Sequence, residues 1–453
     1  MRRTACAVLV ALSVITAPAC SRGGATSGGG SVGGVPFVPE NPASTNPTDK
    51  AVATAQARLR MVPTDPEAKK SLAGAFLQKV RETADPTYYV KVDGILASLG
   101  GARSTDPMVL LLEGTLLLAR HQFTQALAAG RGAVAGLPST SSSYGIVVDA
   151  DNELGHYDDA LANTQKMVDL RPDLTSLARV SYARELRGDL SGAIQAMAQA
   201  TTAGQGGAVA LPGESGIEGG ENVAYVQTLL ANLLLIQGNV AEADRTYAAA
   251  LATFPGFAAA RVGQASVLVA RGRPADSAAI LADVVRTQPL SQYVIAEGDD
   301  YAAAGMQAQA DQAYALVDVI NRLYRANGVN IDVENALYEA DHHPSRAAVD
   351  AARRSIRDRG GVTGHDTLAW ALYRTGKLAE ARTEIDKVLA VGDTDPLYRY
   401  HAAAIDLATG DRVGAGSQLD IVLGGNPRFS ALYIPDISRI AGLLGRKVPA
   451  PAP

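Results

Sequence analysis

Residues 144–172 read YGIVVDADNELGHYDDALANTQKMVDLRP, and the reading turns on three positions within them. Gly155 lets a first helix end in a left-handed turn. Ala160, five residues on, is small enough for a second helix to approach the first closely. Pro172 stops that second helix, because proline lacks the backbone donor and clashes with the preceding turn. Together they describe a helix hairpin.

The same punctuation recurs along the chain. A turn-forming residue stands at His121, Gly155, Gly188, Gly238, Gly272, Gly305, His342, Gly376 and Gly410, with gaps of 34, 33, 50, 34, 33, 37, 34 and 34. Five residues after each comes a small residue: Ala126, Ala160, Ala193, Ala243, Ser277, Ala310, Ala347, Ala381 and Ala415. Seventeen after, proline closes five of the units, at Pro138, Pro172, Pro255, Pro289 and Pro427. Alanine is common here, so a single match means little, but agreement of phase over nine units argues for tandem repeats.

Segment 144–172 and the run Gly376-Lys377-Leu378-Ala379-Glu380-Ala381 resemble the tetratricopeptide repeat consensus, and the resemblance covers about Asp65 to Pro427. It implies an all-α, right-handed superhelical solenoid of tandem helix hairpins, in which each repeat touches only its neighbours. It also implies an interaction scaffold whose concave groove, lined by the first helices, holds a protein or peptide partner. The expected layout is helices of a degenerate repeat over 47–106, repeats over 107–200 and 222–427, and a capping helix within 428–446. A Gly-rich surface loop over 201–221 accounts for the gap of 50, and 447–453 is a Pro-rich tail.

The N-terminus reads as an address. Met1-Arg2-Arg3, an apolar run from Ala5 to Thr16, and Ala17-Pro18-Ala19 form a signal peptide over 1–19. The apolar run is too short to span a bilayer, which takes roughly 20 residues. Cys20 after a small residue resembles the lipid-attachment box of exported bacterial lipoproteins, although Ala17 stands where leucine is preferred and Pro18 is unusual. Ordinary cleavage after Ala19 leaves Cys20 as a free thiol. Residues 20–46, rich in Gly, Ser, Thr and Pro, read as a flexible tether. The expectation is an exported protein held on the extracytoplasmic face of the membrane through its lipid.

Composition excludes several functions. The formal net charge of -5 leaves no basic footprint for nucleic acid. Both cysteines, Cys6 and Cys20, precede the folded part, so it holds no disulfide or thiol nucleophile. Gly213-Glu214-Ser215-Gly216 lacks the Gly-Lys-Ser/Thr ending of a phosphate loop and the spacing of a nucleophile elbow. No catalytic constellation is found, and no cofactor is implied.

Two sets of site residues remain. Asp366, Trp370 and Tyr373 share a helical face opposite the packing residues Leu368, Ala369 and Leu372. With Tyr400, Asp332, Glu339, Tyr182, Glu185, Asp149 and Asn152 they are the expected partner-binding groove, centred on Trp370; the other reading of Trp370 is that it packs against the neighbouring repeat. The alternative is a metal- or small-solute-binding lipoprotein using Asp341, His342 and His343, with His365 and His401 nearby, since imidazoles and carboxylates suit zinc or nickel. Adjacent histidines in a turn seldom point at one ion, and His121 in the same turn position reads as a solvated turn residue.

Overall fold

The computed structural model describes residues 31–32, 35–40, 44–205 and 220–453. The signal segment, Cys20 and most of the Gly-rich insertion lie outside the described residues. The chain opens with α1 (Pro47–Met61), α2 (Pro66–Thr83) and α3 (Thr87–Ala97). Three hairpins follow: α4 (Pro107–Ala119) with α5 (Phe123–Gly136), α6 (Ser141–Leu154) with α7 (Tyr157–Leu170), and α8 (Leu174–Leu186) with α9 (Leu190–Gln205). The next three are α10 (Gly220–Ile236) with α11 (Val240–Thr253), α12 (Ala258–Ala270) with α13 (Pro274–Val285), and α14 (Ser291–Ala303) with α15 (Gln307–Ala326). The last three are α16 (Asp332–His342) with α17 (Arg346–Ser355), α18 (Val362–Arg374) with α19 (Leu378–Val391), and α20 (Pro396–Ala408) with α21 (Arg412–Gly424). Helix α22 (Ile434–Leu443) ends the array. This is the expected all-α solenoid.

The repeat phase holds in eight hairpins. The turn residue has positive φ at His121, Gly155, Gly188, Gly238, Gly272, Gly305, Gly376 and Gly410, and the small residue five positions later is buried in each. The exception is the α16–α17 hairpin, where His342 is still helical and Ala347 is exposed. There the buried residue is Ala348. The phase is displaced by one residue, with Ser345 accepting from the Ala348 N–H at 3.2 Å to cap α17. At the regular crossings, Ala160→Leu and Ala381→Leu are each expected to cost about 1–3 kcal/mol through overpacking, because these side chains are 2% and 0% exposed. Urea denaturation checks this, and unchanged midpoints in both variants would remove the close crossing.

Two expectations about the flanks need correction. Residues 20–46 are not tether throughout, since β1 (Ser31–Val32) pairs antiparallel with β2 (Val35–Pro36). Val35 is fully buried, and Gln56 of α1 clasps the Val38 backbone, accepting from its N–H at 2.7 Å and donating to its C=O at 3.0 Å. The described ends of 201–221 are helical rather than loop, because α9 runs on to Gln205 and α10 begins at Gly220.

The repeats do not touch only their neighbours. The superhelix winds so tightly that the first hairpin's turn rests on the start of the seventh. His121, far from being a solvated turn residue, places Nδ1 2.9 Å from the Asn330 carbonyl, and the Asn330 N–H donates to the Arg120 carbonyl at 2.9 Å. One hairpin along, the Tyr157 hydroxyl accepts from the Val362 N–H at 2.7 Å, and the Gly361 N–H donates to Glu153 C=O at 2.9 Å. Gly155 therefore meets two demands: its φ is +84°, and a Cβ there would lie 2.8 Å from the Gly360 carbonyl oxygen. Gly188 meets the same pair against Gly392. One apolar core correspondingly joins Phe76, Tyr89 and Leu116 to Tyr293, Val317 and Tyr324.

Candidate partner-binding cavity

The C-terminal groove is filled by the chain itself. Trp370 is 2% exposed, stacks on the His401 ring at 3.9 Å between centroids, and donates Nε1–H to Asp341 Oδ1 at 2.8 Å. Tyr433, just before α22, crosses Trp370 edge-on and donates its hydroxyl to Asp341 at 2.9 Å. Asp366 is buried against His401 Nδ1 at 2.9 Å. Tyr400 is also buried and donates to Asp436 at 3.0 Å. Tyr373 is half-buried on the Trp370 ring. The expected anchor residues are thus packing residues, because the segment after α21 folds back over the face that a partner would need.

The other groove residues do not form one surface. Asp149 is buried in a two-pronged ion pair with Arg179, at 2.8 and 2.5 Å. Burial pushes its carboxyl up despite that partner. Asn152 is buried in α6, while Asp332 and Glu339 are half-buried on α16, Asp332 lying 3.9 Å from Arg325. Tyr182 and Glu185 are the two that the fold brings to a shared opening.

The metal candidates are likewise dispersed. His342 Nε2 lies 3.2 Å from Asp299, His365 Nδ1 2.7 Å from Glu384, and His401 against Asp366, whereas His343 is exposed. Asp341 is taken by Trp370 and Tyr433. Among the described residues no three such groups come together around a point.

What the fold does build is a cavity lined mainly by first helices of successive hairpins, with about 1430 Å³ of empty space including its mouth. Helices α8, α10, α12 and α14 supply one wall, and the start of α20 with Phe429–Ala431 supplies the other. Its aromatic lining is Tyr182, Tyr225, Tyr293, Tyr398 and Phe429, and its charged lining is Glu185, Asp299, Asp300, Asp393 and Asp395. Asp299 accepts from the Tyr314 hydroxyl at 2.9 Å, and Asp300 from the Ser277 hydroxyl at 2.5 Å. Burial, helped by the neighbouring Asp299 and opposed by Ser277, pushes the Asp300 carboxyl up to about 7. Most of this lining was missed in the sequence, although the consecutive carboxylates of Asp299-Asp300 in a first helix were an available signal.

Residues 228–291, which include α12 and α13, match the tetratricopeptide repeat family. Over that stretch the chain carries tetratricopeptide repeats. No curated protein matches it in sequence. Among solved structures it is similar to a tetratricopeptide repeat protein from Parabacteroides merdae, at 16% identity and a TM-score of 0.38, over 56% of this chain and 98% of that one. It is also similar to the Cut9-Hcn1 hetero-tetramer of APC/C, at 13% identity and 0.40, over 88% of this chain and 66% of that one. A third is the human IFIT1 dimer with PPP-AAAA, at 12% identity and 0.41, over 77% and 91%. No helix among the described residues is long and apolar enough to cross a membrane. The repeats support a protein-interaction scaffold.

Proposed function

We propose that this chain is an extracytoplasmic scaffold, anchored by lipid on Cys20, that takes a segment of a partner protein at its central cavity. The observation that carries the reading is the division of the concave face. Its C-terminal end is packed with Trp370, Tyr400 and Tyr433, but between α8 and α14 the same face opens into a cavity lined by aromatic and carboxylate side chains. Aromatic anchors in such settings concentrate interface energy. The signal segment and the Cys20 context support the location.

A photo-crosslinking residue at Gln292, in the cavity lining, is expected to trap a partner in intact cells. The same group at Leu161, 43% exposed on second helix α7, is expected to give background only. Adducts from position 161 and none from 292 would put the partner on the wrong face. Cys20→Ser is expected to move the protein from the membrane to the soluble fraction, since the acyl chains supply the anchoring energy. A variant that stays membrane-bound would refute the lipid assignment.

A further inference from the structure

We infer that the tail after α22, residues 447–453, is a strap that fastens the last units of the superhelix to the α12–α13 turn and so holds the two walls of the cavity together. The winding is regular: each early hairpin seats its turn on the end of the hairpin five places further on. His121 of the first meets Asn330 after α15, and Gly155 of the second would bring a Cβ within 2.8 Å of the Gly360 oxygen after α17. A Cβ on Gly188 of the third would lie 2.8 Å from the Gly392 oxygen at the end of α19. One on Gly238 of the fourth would lie 2.9 Å from the Gly425 oxygen at the end of α21. The fifth hairpin, α12–α13, would need a tenth to meet. Among the described residues only α22 follows α21, and the tail comes to that turn instead, so that a Cβ on Gly272 would lie 3.2 Å from Pro451 Cγ. On Gly305, in the sixth turn, a Cβ would meet nothing within 4 Å among the described residues.

The seat is made of hydrogen bonds and apolar contact. The Ala452 N–H donates to the Ala270 carbonyl at 3.1 Å. Arg271 Nε donates to the Pro453 backbone oxygen at 2.9 Å, while its Nη1 holds Asp244 of α11 at 2.8 Å. Ala452 is half-buried on the apolar cluster of Leu235, Tyr247 and Val267, built by α10, α11 and α12. Four residues earlier, Val448 is half-buried on the separate C-terminal cluster that holds Tyr433, Ile437 and Leu444. The strand between them therefore joins two cores. Helix α12 lines one wall of the cavity, and Phe429–Ala431, which lead into Tyr433, line the other. Alternating prolines at 449, 451 and 453 keep such a stretch extended, so little chain entropy is lost in spanning the gap. Arg446 roots it through Asp420 of α21 at 3.1 Å. Lys447, Pro449, Ala450, Pro451 and Pro453 are exposed. Local opening costs least where few apolar contacts are buried, so this fastening opens well before the hairpins do. Its release widens the cavity without unfolding the walls.

The test uses the full chain. A photo-crosslinking residue in place of Pro451 is expected to join, within one chain, the segment around Gly272, as read by mass spectrometry of the digested monomer. Adding Ala452→Glu, which sets a charge on the apolar seat, is expected to remove most of that adduct. Ala452→Glu alone is expected to raise the radius of gyration in small-angle scattering and to speed hydrogen exchange several-fold over 434–443 and the α12–α13 turn. Ala450→Glu puts the same charge on an exposed position of the same strand and is expected to change neither. Circular dichroism is expected to match the wild type in both variants. Adducts that fall elsewhere in the chain, or between two chains, would overturn the strap. So would scattering and exchange of Ala452→Glu that equal those of Ala450→Glu. The strap acts on the cavity that the scaffold reading assigns to a partner, yet these readouts use the chain alone: absence of adducts from Gln292 sinks that reading and leaves the strap standing.

Discussion

Replacing Arg359 with methionine is expected to destabilise the protein by about 3–5 kcal/mol, because it removes one member of a buried ion network and strands the others. Arg359 is 3% exposed; its Nε donates to Glu153 on the preceding superhelical turn and its Nη1 to Glu334 on α16 at 2.6 Å. The two carboxylates hold the guanidinium firmly in its charged form. Burial already pushes the Glu153 carboxyl up with the arginine in place, whereas Glu334 is held down by it. Without the arginine, both acids would have to take up protons or draw in water. Because Glu153 sits at the end of α6 and Arg359 just before α18, the loss should also part successive turns of the superhelix. Urea denaturation gives the stability change, and small-angle scattering gives the expansion. Glu153→Gln combined with Arg359→Met should recover part of the loss, since the double variant no longer buries that unpaired charge. A single variant with the wild-type midpoint and radius would mean that the network does not hold the turns together.

That junction marks the limit of what the residues revealed in advance. Hairpin boundaries were legible because their cause is local: Gly155 and Gly376 take positive φ where a helix must end, and Ala160 and Ala381 fill the crossing that follows. The α16–α17 unit slipped by one residue because His342 and His343 are adjacent and neither is a glycine whose φ would fix the turn. Contacts between turns join residues 205 to 209 positions apart, as in Tyr157 with Val362 and His121 with Asn330, and no periodicity in either stretch names its partner. Glycine offered a partial clue, since Gly392 caps second helix α19 and Gly360 follows second helix α17 where the other turn presses closely. The site suffered most from this. Trp370, Asp366 and Tyr400 do come together around His401, but Tyr433 and Phe429 come back over them, a return that the helical wheel of α18 alone does not contain. Tyr182 and Glu185 line the cavity, and α10, α12 and α14, which bring the rest of its lining to them, lie far along the chain from α8.

Trp370→Ala is accordingly expected to cost about 3–5 kcal/mol, the range for deleting a large buried aromatic, and not merely to trim a binding surface. The indole is wedged between Tyr373 at 5.0 Å, His401 at 3.9 Å and Tyr400 at 5.5 Å, so its removal leaves a hole that three rings on two helices cannot close without leaving their rotamers. It also removes one donor from Asp341, a carboxylate with no side-chain exposure, leaving Tyr433 to carry more of that load. The damage should concentrate in α18, α20 and α22, which this cluster ties together, while α8 and α10 on the cavity wall respond less. Hydrogen exchange resolved by segment separates the outcomes: early exchange over 362–374, 396–408 and 434–443 is expected, with 174–186 changed little. Trp370→Phe, which keeps a ring but not the Nε1–H, should fall between the two and isolate the Asp341 bond. If Trp370→Ala keeps wild-type protection in all three segments and loses only partner capture, the indole faces a ligand after all, and the concave surface extends to the C-terminal end of the array.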